Sequence, residues 1–205
     1  MKIKTLTKSL SIIIALTAAM LSKVQAADVH VNAYSIGRST AEASGVAFQN
    51  ASVHSRAIAQ DGSIARASGF GRGLFGGATE VQSRAFAQNG GFSNSLGVGD
   101  ARYGGSVNVD STAATLGGYS NSYGFGHGFG PANVDVNSIA TGQYGISSSQ
   151  SRGIGIGPSQ VFSDSLSDTI GGRAQSDVTA TGIFGNARGV GRSFDYRGLG
   201  YPMGY

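Results

Sequence analysis

Residues 53–60 alternate strictly. Val53, Ser55, Ala57 and Ala59 fall on one side of an extended chain, and His54, Arg56, Ile58 and Gln60 on the other. The same pattern returns at Val81, Ser83, Ala85 and Ala87 against Gln82, Arg84, Phe86 and Gln88. A period of two with this content predicts strands. Asp61-Gly62 and Asn89-Gly90 follow, pairs that accept positive φ cheaply and so predict turns. A second kind of strand comes next. Phe92, Asn94, Leu96 and Val98 stand opposite Ser93, Ser95, Gly97 and Gly99, and Tyr119, Asn121, Tyr123 and Phe125 opposite Ser120, Ser122, Gly124 and Gly126. A helix is disfavoured there, because each interior Gly costs about 1 kcal/mol relative to Ala.

These runs recur at a fixed step. Ser55, Ser83, Ser111, Ser138 and Ser165, each after a polar residue, are 28, 28, 27 and 27 residues apart. A Gly-x-Gly landmark opens at Gly69, Gly97, Gly124 and Gly153, and Pro131 and Pro158 are also 27 apart. Every strand thus has a face of Gly, Ala and Ser and a face of larger residues. A single unit cannot bury the small face, but stacked units bury it continuously. The expectation is an all-β fold: a β-solenoid, or stacked strand–turn–strand repeats, of about 27 residues per unit. The repeat and assembly positions are the five serines, Ala57 and Ala85, and the four glycines that open the Gly-x-Gly landmarks. The expected layout is a leader over 1–26, an imperfect N-terminal copy or cap over 27–50, repeats over 51–193 and an aromatic, Gly-rich, repeat-free tail over 194–205.

The leader changes the charge. Lys2, Lys4 and Lys8 precede the apolar run 10–21, and a small residue, Ala26, stands where an export signal would be cut. The run is too short to span a membrane, and no later stretch is long enough. All four lysines, Lys23 included, lie before Ala27. The 15 basic residues therefore fall to 11 arginines after it, against 11 acids, for a net charge of zero. That excludes a nucleic-acid partner, which needs a positive surplus facing phosphates. It favours self-association. There is no Cys, so an exported chain would carry no disulfides.

Catalytic and metal chemistry is sought and not found. His30, His54 and His127 lie in different segments without a second ligand at metal spacing. Asp164 and Asp168 lack the repeated Gly-Gly-x-Gly-x-Asp of calcium-binding rolls. No Gly-x-Ser-x-Gly elbow occurs, and the Gly-rich stretch 124–130 is not followed by Gly-Lys-Ser/Thr. The Thr-Ala-Thr run of Thr179 and Thr181, the kind of Thr array that matches ice, occurs only once. No enzyme, cofactor or metal is expected.

Ser83, Gln88, Gly90 and Asn94, with Ser55, Gln60 and Gly62 one unit earlier, resemble the Ser…Gln-x-Gly…Asn units of curlin-type subunits of secreted bacterial amyloid fibres. The likeness covers residues 51–165. Here the unit is longer, the Ser-to-Gln spacing is one residue shorter, and the Gln and Asn positions fade after residue 94. The resemblance implies an exported subunit that stacks into extracellular fibres with copies of itself, nucleated by a surface partner. The reading from another class is a monomeric β-solenoid adhesin, or a carbohydrate- or ice-binding module. It would use Phe86, Phe92, Tyr119 and Tyr123 as one flat aromatic face.

Overall fold

The computed structural model describes residues 28–36, 40–48, 50–62 and 64–196. The leader 1–26 lies outside the described residues, as does 197–205. In chain order the elements are β1 (Asp28–Ile36), β2 (Thr40–Phe48), β3 (Ala51–Gln60), β4 (Ile64–Leu74), β5 (Ala78–Ala87), β6 (Phe92–Arg102) and β7 (Ser106–Leu116). They continue with β8 (Tyr119–Phe129), β9 (Asn133–Gln143), β10 (Ile146–Ile156), β11 (Gln160–Ile170), β12 (Arg173–Ile183) and β13 (Asn186–Tyr196). Odd strands form one seven-stranded sheet and even strands one six-stranded sheet, each in chain order. Every pairing is parallel, as winding in one direction requires. The chain is a β-solenoid with two strands per coil.

Ser55 pairs with Ser83, Ser83 with Ser111, Ser111 with Ser138, and Ser138 with Ser165, so the serine landmarks form one column. The glycine landmark needs a correction. Gly69, Gly97 and Gly124 share a column, but its next member is Ser151, and Gly153 pairs with Gly126. Both columns point inward and both hold only Gly or Ser in these coils. A slip of two residues therefore leaves the sequence pattern unchanged, while the serine column and the turns hold the register at 27. β1 and β2 pair with β3 and β4 as the first described coil, and β13 runs from Asn186 to Tyr196.

The core is thin and its two sides are complementary. The seven-stranded sheet contributes Val53, Val81, Val109 and Val136 in one inward column. The six-stranded sheet answers with glycine. A Cβ on Gly69 would lie 2.6 Å from Val81 Cγ1, on Gly97 2.5 Å from Val109 Cγ1, and on Gly124 2.7 Å from Val136 Cγ1. Each valine methyl occupies the space its opposite lacks, and fully burying a Val side chain contributes about 1.5–3 kcal/mol. Glycine is therefore a packing requirement here.

Turns stack as strictly as strands. Asp61-Gly62 and Asn89-Gly90 have positive φ, as their composition predicts. At other corners an aromatic residue takes the left-handed conformation: Phe75 at φ 49°, Tyr103 at 53°, Tyr144 at 54° and Phe184 at 61°. That costs roughly 1–2 kcal/mol per residue. At Phe75 and Tyr103 ring contact between successive corners offsets part of it, the two stacking at 5.4 Å.

Candidate functional site

The positions expected to drive assembly lie inside the molecule. Ser55, Ser83, Ser111, Ser138, Ser165, Ala57 and Ala85 are all buried, and so are Gly69, Gly97, Gly124 and Gly153. Their hydroxyls cross the core. Ser55 Oγ donates to the Ser68 carbonyl at 2.6 Å and Ser83 Oγ to the Leu96 carbonyl at 2.8 Å. Ser111 Oγ donates to Ser95 Oγ, and Ser138 Oγ to Ser122 Oγ, both at 2.9 Å; Ser165 Oγ donates to the Ser149 carbonyl at 2.8 Å. A buried hydroxyl without a partner costs about 1–3 kcal/mol, so these bonds make a polar core tolerable. The columns stack coil on coil within one chain.

The two outer faces differ. On the six-stranded sheet Phe92 and Tyr119 stack at 5.0 Å with their planes 5° apart. Tyr123 lies on the same face, paired with Leu96. Phe86 does not: it belongs to β5 in the seven-stranded sheet, paired with Ile58 and Ala114. The turn between Ala87 and Phe92 carries the chain to the opposite sheet, so the expected four-residue aromatic face divides into three and one. Thr179 and Thr181 also face outward, on β12.

One cluster was missed in the sequence. The register sets Arg72 beside Asp100 and Asp100 beside His127, each one coil apart. Asp100 is 7% exposed. Arg102 Nε donates to both its oxygens, at 3.2 and 3.0 Å, and His127 Nδ1 lies 3.2 Å from Oδ1. Arg72 Nε is 3.0 Å from Oδ2 but lacks hydrogen-bond alignment. Burial alone would raise the Asp100 carboxyl. The Arg102 and His127 hydrogen bonds and the charges of Arg102 and Arg72 outweigh it, holding the carboxyl below the ordinary range. Stepping one repeat from His127 would have found the pair; reading each His within its own segment hides it.

The seven-stranded sheet is more polar outside. His30 and His54 stack at 4.6 Å, and His54 Nδ1 lies 3.1 Å from Gln82 Oε1. A groove of about 720 Å³ runs across the coils between rows that include Ser52, Glu80, Asn108, Asn133, Asp135 and Gln160. Desolvation, with Asp110 and Asp164 nearby, raises the Asp135 carboxyl above its ordinary range. Asp164 pairs with Asn137, and Asp168 with Thr141, in the outward rows of this sheet. These side chains line a polar surface.

The most exposed part of the small-residue face is the last coil. Ala187, Gly189, Gly191 and Ser193 of β13 point along the core columns yet are open to solvent. Among the described residues nothing pairs with the far edge of β12 or β13, or with the near edge of β1 or β2. At the first coil Val29, Val31 and Ala33 are half-buried, and Ser35 Oγ is buried without a partner. No family model, curated protein or solved structure matches this chain.

Proposed function

We infer that the protein is an exported, non-enzymatic structural subunit whose coils stack on those of further copies, building an extracellular or cell-surface fibre. Export rests on the leader-like residues 1–26, and the primary partner is the chain itself, with a surface nucleator as a second. One observation carries the reading: the inward row of β13 is exposed although the same columns are buried in every central coil. Unpaired strand edges of this kind template further pairing unless charge or proline blocks them, and stacked identical strands satisfy the backbone along a fibre.

A joint that continues the ladder follows the same columns. The column that holds Asp28 passes through Ser52, Glu80, Asn108, Asp135 and Phe162 to Arg188. A second copy in this register sets its Asp28 beside Arg188, and its Tyr34 beside Phe194, which closes the column through Asp168. Electron microscopy and light scattering on residues 27–205 test the reading. Fibres are expected from the unaltered chain, and Arg188→Asp should slow their growth on the order of tenfold, because like charges meet at the joint. Its β-type circular dichroism should be unchanged. A chain that stays monomeric at high concentration would overturn stacking. The stacked, exposed Phe92 and Tyr119 would then favour the carbohydrate-binding reading, since aromatic rows suit sugar rings.

A further inference from the structure

The two outer faces of the middle coils carry opposite charge. Outward from β5, β7, β9 and β11 stand Glu80, Asp110, Asp135, Asp164 and Asp168, against one cation, Arg84. Outward from β4, β6, β8 and β10 stand Arg66, Arg72, Arg102 and Arg152, against one carboxylate, Asp100. Glu42 takes up Arg66, and the single Asp100 is shared by Arg72, Arg102 and His127. Among the described residues no ion pair reaches Glu80, Asp110, Asp135 or Asp164. Asp110 accepts from Asn137 at 3.0 Å and Glu80 from Gln82 at 2.5 Å, both neutral donors.

Two rows, one on each face, lie level with each other. A Cβ on Gly71 would meet Thr79 and Val81, on Gly99 Val107 and Val109, on Gly126 Val134 and Val136, and on Gly153 Val161 and Ser163. These glycines therefore stand across the core from Glu80, Asn108, Asp135 and Phe162. The residues that follow them are Arg72, Asp100, His127 and Ile154, one outward row of the six-stranded sheet. Glu80, Asn108, Asp135 and Phe162 are one outward row of the seven-stranded sheet. The next row on each face also matches. Phe129 and Ile156 follow Gly128 and Gly155, whose Cβ atoms would meet Ala132 and Val134, and Ser159 and Val161. They form a ridge at the level of Asn133 and Gln160, which line the groove of about 720 Å³ together with Asp135 and Phe162.

We propose that the outer face of β4, β6, β8 and β10 docks on the outer face of β5, β7, β9 and β11 of a second copy, related to the first by translation without rotation. Arg72 then lies over Glu80, His127 over Asp135, Asp100 over Asn108 and Ile154 over Phe162, and the Phe129–Ile156 ridge enters the groove. Each carboxylate of the two rows meets a donor, and the two apolar residues meet each other. The matches repeat once per coil, so the occupant must carry the same coil spacing, as a second copy does. Burial and the charges of Asp110 and Asp164 raise the Asp135 carboxyl, and a donor over it relieves that cost. Six strands about 4.8 Å apart and about 36 Å long give a face of roughly 1,000 Å², above the about 800 Å² per partner of a stable interface. Ridge and groove are different surfaces, so the contact is head-to-tail and a third copy adds in the same way. It runs at right angles to coil stacking and does not depend on it.

The chain has no cysteine of its own, so introduced ones can mark the two faces. Packed sheets lie about 10 Å apart, within reach of a bismaleimide of that span. Phe129→Cys and Asn133→Cys, mixed as residues 27–205, should give the mixed cross-linked dimer roughly tenfold in excess of either homodimer, because like faces do not meet. Ile156→Cys with Gln160→Cys, one coil on, should do the same. Adding Asp135→Arg to the Asn133→Cys chain should cut the mixed product on the order of tenfold, since like charges would then meet. Its β-type circular dichroism should be unchanged. End-to-end stacking does not bring these middle-coil residues of two copies together. Fibres without the mixed product therefore overturn the proposal and leave coil stacking standing, and mixed product without fibres supports it and counts against coil stacking. Homodimers as abundant as the mixed dimer overturn it, because the contact would be symmetric. An unchanged yield with Asp135→Arg also overturns it, because charge would not be selecting the face.

Discussion

Ala85 and Ser193 occupy one column of the seven-stranded sheet, linked through Ala113, Ala140 and Ser167. Ala85 is 3% exposed, and Ser193 is open to solvent. Backbone, direction and residue size are nearly the same at both. What differs is the neighbourhood: Ala85 has a coil on each side and a facing sheet, and Ser193 lies on the last strand among the described residues. Burial in this fold is therefore a property of the stack. The last described coil carries a small-residue surface of the kind that the interior coils bury against one another. This is the physical content of the stacking reading, and a single substitution made at both places can break it.

Aspartate is that substitution. Ala85→Asp would put an unpaired carboxylate between the sheets, with a cost of about 3–5 kcal/mol, enough to erase most of the stability of a typical domain. Ser193→Asp sits at the open end and should change the stability of the single chain by no more than about 0.5 kcal/mol. Thermal unfolding followed by circular dichroism separates them. Ala85→Asp should lose the β signal near room temperature, and Ser193→Asp should melt within a few degrees of the unaltered chain. Comparable melting of the two would mean that the central and terminal coils do not differ as described.

Much of this contrast is legible in the amino-acid sequence. Alternation at Val53–Gln60 and Phe92–Gly99 identified both the strands and the inward face, because a small-residue side repeated at 27 residues has few ways to be buried. Three things were not legible. Gly153 lies two positions out of the column its motif suggests, since neighbouring inward columns are chemically alike and only hydrogen bonding tells them apart. Phe86 lies apart from Phe92 because sequence does not say on which sheet a strand lands after a corner. Corners at Phe75, Tyr103, Tyr144 and Phe184 are not legible, because a bulky residue at positive φ runs against local preference; at Phe75 and Tyr103 the two rings stack on each other.

The complementarity between the sheets can be sharpened next. Gly97→Val would force a side chain into the space of the Val109 methyls, and overpacking of this kind costs about 1–3 kcal/mol. Val109→Ala alone should also destabilise, by opening a cavity. Combined, the large residue passes to the other sheet and the pair should recover 1 kcal/mol or more of the summed loss, roughly the coupling expected of residues in contact. Urea unfolding of the two single variants and the double variant measures this. Strict additivity would show that Gly97 serves its backbone and not the valine across from it.

The smallest effect distinguishes two serines of one strand. Ser120 and Ser122 both lie on the inward side of β8, 2% and 0% exposed. Ser122 Oγ donates to the Ser111 carbonyl at 2.7 Å and accepts from Ser138 Oγ at 2.9 Å. Ser120 Oγ is buried without a hydrogen-bond partner. Ser122→Ala removes the bonds to Ser111 and Ser138 and strands the Ser138 hydroxyl, so it should cost about 1–3 kcal/mol. Ser120→Ala removes a polar atom that gains nothing from being buried, so it should be neutral or stabilise by up to about 1 kcal/mol. Both changes delete one oxygen from the same strand and the same face, so strand propensity and side-chain volume cancel between them. The difference in urea midpoint then reports the hydrogen bond itself. Equal destabilisation by the two would place a partner on Ser120, and the polar core would be more completely bonded than the serine ladder alone makes it.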